Sequence, residues 1–106
     1  MGGKIDEAVK ALDRGHSVYI AMRVPADMVA CKKVIGPDSR ATHGAHALAI
    51  VGYQLDTAIS GGGYFILKNS WGPGCGDQGY QYLAFHNCER SDMYCKFWEI
   101  ESVERR

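Results

Sequence analysis

Apolar residues recur at Ile5, Ala8, Val9 and Leu12, the i, i+3, i+4, i+7 spacing of one helix face. Asp6 and Glu7 suit the first turn of such a helix, where the backbone dipole favours negative charge, and Gly15 suits its stop. The period then changes to two. Val18, Ile20, Met22 and Val24 alternate with Tyr19, Ala21 and Arg23, which predicts a strand over 17–24. Residues 25–44 hold two prolines, two glycines and mixed charge without a sustained period, so they read as a long loop with one helical turn at 26–32. From residue 46 the pattern is β. The run 46–54 is nearly all apolar, the mark of a strand buried on both faces. Ser60, Gly61, Gly62 and Gly63 make a turn, and 64–70 follows as the hairpin partner. Further strands are predicted at 80–85 and 96–103, with a polar connection or short helix at 86–94. In the last strand Trp98 and Ile100 alternate with Glu99 and Glu101, which assigns Trp98 to the core. One helix followed by about five antiparallel strands predicts an α+β domain on a curled antiparallel sheet or small barrel.

The length of 106 residues allows one domain, and 12 basic against 12 acidic side chains leave no net charge. Neither nucleic acid nor an anionic membrane surface is therefore an expected partner. No apolar run approaches the roughly 20 residues of a membrane span, and the first residues lack the apolar centre of a secretory signal. The compartment stays open. Four cysteines (Cys31, Cys75, Cys88, Cys95) admit three full pairings, and none forms a Cys-x-x-Cys pair. Cys88 and Cys95 flank a polar connection and can pair if their α-carbons come within about 7 Å.

Two segments carry chemistry: Gly44-Ala45-His46-Ala47-Leu48-Ala49-Ile50-Val51-Gly52-Tyr53 and Tyr64-Phe65-Ile66-Leu67-Lys68-Asn69-Ser70-Trp71-Gly72. Each puts one polar residue at the end of an apolar strand. If the strands are hairpin neighbours, the start of one lies beside the end of the other, and His46 meets Asn69. A carboxamide oxygen that accepts from one ring nitrogen fixes the tautomer and leaves the other nitrogen for a nucleophile. Trp71 is placed to shield that contact from water.

These residues closely resemble the C-terminal half of the papain-like (cathepsin-type) cysteine peptidases. The family's His-Ala strand ending in Val-Gly-Tyr is matched by His46, Ala47, Val51, Gly52 and Tyr53, and its Lys-Asn-Ser-Trp-Gly signature stands intact at 68–72. Gly76, Asp77, Gly79 and Tyr80 continue the pattern, and the elements fall in family order over nearly the whole chain. The resemblance implies that His46 is the catalytic base and acid, that Asn69 orients it and that Trp71 covers their contact. Tyr19 and Ala47 would lie near the pocket for the second substrate residue before the cut. Two positions depart from the family. Ala45 stands where Asn or Asp is usual, and Cys75 replaces the second tryptophan of the Trp-Gly-x-x-Trp-Gly pattern.

In the family the nucleophilic Cys lies on a helix roughly 130 residues or more before the His and Asn. Only 45 residues precede His46 here, without a Gln-x-x-x-Cys-Gly-x-Cys-Trp-like stretch among them. Residues 1–106 are thus expected to be the C-terminal His/Asn barrel domain alone, without the N-terminal Cys-bearing domain, and inactive by itself. The implied partners are a peptide or protein substrate and that missing domain. Weak self-association is expected through the uncovered face holding Tyr19, Ala47 and Trp71. The rival reading is a non-catalytic binding or assembly domain that retains the barrel. Retention of His46, Asn69 and Trp71 together favours the peptidase.

The remaining polar residues have simpler roles. Cys31 is the one cysteine ahead of His46, but it lies in a predicted loop and reads as an ordinary thiol rather than a nucleophile. His43 and His46 with Cys31 lack a well-spaced further ligand, so no metal or cofactor is called for. His16 and His86 read as surface residues near element ends, and Tyr80 and Tyr82 as packing on the sheet.

Overall fold

The computed structural model describes residues 3–69, 72 and 74–100, with the backbone alone at His43. Helix α1 (Gly3–Asp13) buries Ile5, Ala8, Val9 and Ala11, while Lys10 and Asp6 pair one turn apart on its outer side. Gly15 takes the left-handed conformation that turns the chain into β1 (Ser17–Pro25). Along β1, Val18, Ile20, Met22 and Val24 are buried, as the period-two pattern requires. Then come α2 (Ala26–Val29), β2 (Val34–Ile35), β3 (Ala41–Leu55), β4 (Gly63–Lys68) and β5 (Tyr80–Ala84). Helix α3 (Phe85–Glu89), a 3-10 turn at Ser91–Met93 and β6 (Lys96–Ile100) complete the described chain.

The six strands form one sheet in the order β2-β5-β4-β3-β1-β6. Every pairing is antiparallel except β2 with β5, where Val34 and Ile35 run parallel beside Tyr82 and Leu83. The α+β class stands, and the sheet is mixed rather than wholly antiparallel.

Residues 25–44 are more ordered than a loop. β3 begins at Ala41, opposite Pro25, and β2 lies between. Two residues are too few to show alternation, so β2 leaves no periodic mark. Side chains knit the stretch together: the Asp27 backbone N–H donates to Ser39 Oγ, Gly36 N–H donates to Asp27 Oδ2, and Arg90 reaches the carbonyls of Pro37 and Ser39.

β3 carries a bulge. Ile50 pairs with Leu67 but Gly52 pairs with Ile66, so Val51 is an extra residue, and it is exposed. Leu48 and Ile50 face the core ahead of the bulge, and Tyr53 packs against it beyond. In a regular ladder, with no bulge, Ile50 and Tyr53, three positions apart, would lie on opposite faces.

The core is one cluster to which α1, β1, α2, β2, β3, β4, β5 and α3 all contribute, with Phe65 and Phe85 edge to face at its centre. The inward residue of β6 is Phe97, opposite Ile20 and tilted against Phe65. Trp98 is therefore on the outer face and 51% exposed, not in the core. The charge at Glu99 obscured this phase. Glu99 lies opposite the inward Val18, at the rim, where Arg14 and His16 from the α1–β1 turn both bond its carboxylate.

Candidate active site

β3 and β4 are antiparallel neighbours, as the hairpin reading expected, with Ala49 level with Lys68 and Ile50 with Leu67. His46 shares its face with Leu48 and Ile50, and lies opposite the buried Met22 of β1. Asn69 follows β4 and shares the face of Phe65 and Leu67, with 3% of its surface exposed. Both side chains are thus on the inner face of the sheet. One step past the last pair, Asn69 falls level with Leu48, and His46 is the next inward residue. Such a diagonal spans roughly 7–8 Å between backbones, within reach of an imidazole and a carboxamide.

The surroundings of Asn69 are specific. Its backbone N–H donates to the Gly79 carbonyl at 2.9 Å, and its side-chain Nδ2 donates to Gln81 Oε1 at 2.7 Å. Gln81, on β5 beside Leu67, has no exposed surface, and its Nε2 donates to the Lys32 carbonyl at 2.8 Å. Gln81 was missed by sequence reasoning. The signal was there: in 80–85 it occupies the same phase as Leu83, a polar side chain where an apolar one belongs.

Cys75 and Gly76 are tied to the stretch that holds Lys32. Cys31 and Cys75 form a disulfide, and the Gly76 N–H donates to the Cys31 carbonyl at 2.9 Å. Gly76 (φ 65°) admits no side chain, because a Cβ would stand 2.4 Å from the Tyr80 carbonyl oxygen. Asp77 accepts from the Tyr82 hydroxyl at 2.9 Å; that bond, then burial and the carboxylate charge, push the phenol above its ordinary range. Cys88 and Cys95 form the second disulfide, as their spacing allowed. No free cysteine remains. Cys31 is therefore neither a free thiol nor a candidate nucleophile, which corrects the reading of it as an ordinary thiol.

Tyr19 and Ala47 lie on the opposite, outer face. Tyr19 pairs with Ala49 and Ala47 with Ala21, so the two are diagonal neighbours, and both are exposed. Tyr19 also lies level with Trp98. The structure thus brings His46 and Asn69 to one face and Tyr19 and Ala47 to the other. Trp71 lies outside the described residues. His16 bonds Glu99 and His86 bonds Glu89, both near element ends.

A family model described as papain family cysteine protease matches residues 3–97. Cathepsin B-like CP2 of Giardia intestinalis is 34% identical over 80 residues, covering 74% of this chain and 26% of that protein. Vignain of Vigna mungo is 54% identical over 50 residues, 47% of this chain and 13% of that one. The chain therefore spans about a quarter or less of the length of these relatives. Among solved structures, xylellain, a cysteine protease from Xylella fastidiosa, superposes with a TM-score of 0.73 at 24% identity, over 94% of this chain and 37% of that one. Bromelain from Ananas comosus gives a TM-score of 0.57 at 21% identity, covering 92% and 46%. At such identities the structural likeness establishes the fold.

Proposed function

The chain belongs to the papain family of cysteine proteases, and on that premise we propose that it supplies the His/Asn half of a Cys-His-Asn site that hydrolyses peptide bonds. The observation that carries the reading is the common inward face of His46 and Asn69 on neighbouring strands. All four cysteines are paired, so the nucleophile comes from another segment, a Cys-bearing domain preceding residues 1–106 in the whole protein. His46 takes the thiol proton, and the thiolate attacks the scissile carbonyl carbon. The C–N bond breaks as His46 returns the proton to the leaving amine. Water, deprotonated by His46, then attacks the thioester; the acid leaves and the thiol is restored. Asn69 holds the imidazole in the required orientation, and Trp71 shields their contact. Tyr19 and Ala47, exposed and adjacent, lie near the pocket for the second substrate residue before the cut.

The test is reconstitution. The 106-residue chain alone shows no thiol-dependent hydrolysis of a fluorogenic peptide. Adding the Cys-bearing segment creates it, and His46→Ala in the chain removes it. General acid–base groups contribute about 10²–10⁴ in rate, so the loss is large. Hydrolysis by the chain alone, or activity that survives His46→Ala, overturns the proposal.

A further inference from the structure

We infer that Gln81 is a positioning residue, which sets the end of the Asn69 carboxamide that faces His46. The inference rests on the reading of His46 and Asn69 given above.

A carboxamide has two ends of similar shape and opposite hydrogen-bonding sense. Only its oxygen can accept from an imidazole N–H. An Asn in isolation presents either end, so a site that uses Asn this way needs something to choose. Here the choice propagates from a main-chain atom. The Lys32 carbonyl can only accept, so the end of Gln81 that meets it, 2.8 Å away, is Nε2. Oε1 must then point the other way, and a carboxamide oxygen can only accept. The end of Asn69 that meets it at 2.7 Å is therefore Nδ2. The Asn69 oxygen is left turned from β5 toward the β3 side, where His46 lies.

The starting point of this relay is held firmly. On either side of Lys32, the Cys31 carbonyl accepts from Gly76 N–H and the Lys33 carbonyl accepts from Tyr82 N–H, each at 2.9 Å. The Cys31–Cys75 disulfide adds a covalent tie. Burial makes the relay selective, because Gln81 has no exposed surface and Asn69 is 3% exposed. If Asn69 turned over, two oxygens would face each other with no solvent to bridge them. A residue that merely fills this place, between Leu67 and Leu83, would be better apolar.

The experiment begins with the chain itself. In ¹⁵N-labelled protein, the Asn69 side-chain NH₂ exchanges slowly with solvent, and Gln81→Met, similar in volume but unable to bond, removes that protection at least tenfold. Unchanged Asn69 exchange in Gln81→Met overturns the inference. In the peptidase assembled with its Cys-bearing segment, Gln81→Met lowers kcat about 10–100-fold, the usual effect of losing a partner that orients a site residue, with KM within twofold. Gln81→Glu, whose carboxyl burial keeps protonated so that it donates to the Lys32 carbonyl and accepts from Asn69, recovers most of that loss and also serves if Gln81→Met does not fold. Asn69→Ala combined with Gln81→Met is no slower than Asn69→Ala alone, because Gln81 acts through Asn69. Multiplying losses, or no recovery in Gln81→Glu, overturn the inference. Activity that survives His46→Ala sinks the site reading and this one with it. Loss in His46→Ala beside an unchanged kcat in Gln81→Met sinks this one alone.

Discussion

Asn69 donates its side-chain N–H to Gln81 across 2.7 Å, in a place where both side chains are sealed from solvent. Asn69 is thereby a residue of the fold as well as of the candidate site. Asn69→Leu strands the Gln81 oxygen without a donor, which costs about 1–3 kcal/mol. His46→Ala, at a half-buried position, costs less. Urea unfolding of the two variants gives the order, and a more damaging His46→Ala refutes this division of roles.

The disulfides differ in the length of chain they close, 44 residues for Cys31–Cys75 and 7 for Cys88–Cys95. Loop-closure entropy then gives about 4 kcal/mol for the first and about 2 kcal/mol for the second. Replacing both cysteines of the long loop by Ser should lower the urea midpoint more than the same change in the short one. Equal midpoints would mean that the unfolded chain is not what the long bridge restrains.

Two glycines of similar appearance in the sequence should respond oppositely to alanine. At Gly63 (φ 150°) a Cβ would stand 2.2 Å from the Gln54 carbonyl oxygen and 3.0 Å from the Phe85 ring. Gly63→Ala is expected to destabilise by about 2 kcal/mol or more, since backbone has to move. At Gly74 nothing among the described residues lies within 4 Å of a Cβ and φ is not in the left-handed region, so Gly74→Ala is neutral or stabilises by up to about 1 kcal/mol. Thermal melts of the pair decide it.

The Glu99 carboxyl is held below its ordinary value of 4.5, first by the bond from Arg14 and then by that from His16. A depressed carboxylate stabilises the fold above its unfolded pKa, and the contribution disappears as pH falls through the folded one. Between those values the unfolded chain binds more protons, so stability rises with pH. Glu99→Gln should flatten that part of the acid unfolding curve. The same acid slope in wild type and variant would remove Glu99 from the account.

Tyr19 and Trp98 are paired across β1 and β6 on the outer face, 42% and 51% exposed. The expected outcome is weak self-association of the chain through this face. Sedimentation at rising concentration should show it, and Tyr19→Glu with Trp98→Glu should reduce it. A chain that stays monomeric throughout contradicts the prediction.

Period-two alternation made β1 legible, and two apolar runs joined by a glycine turn made the β3–β4 hairpin legible, and with it the neighbouring positions of His46 and Asn69. What escaped had no local signature. β2 is two residues long, and its partner β5 is distant in sequence. The pairing of Cys31 with Cys75 depends on that same distant docking, so spacing alone could not choose it. Trp98 went to the wrong face because Glu99 looked like an outward residue, whereas Arg14 and His16 satisfy it at the rim. Gln81 was legible and overlooked: a polar side chain in the inward phase of a strand requires partners, and those partners lead to Asn69.

The bulge at Val51 bears on how the length of this strand can vary. His46 and Tyr53 are seven positions apart, an odd number, yet both serve the interior. The extra residue corrects the parity. A one-codon deletion of Val51 would make the spacing even and let a regular ladder do the same work, with His46 still inward. A one-codon insertion beside it would also give even spacing. Single-residue length changes, which in an unbulged strand would turn a site residue inside out, are here absorbed at one exposed valine.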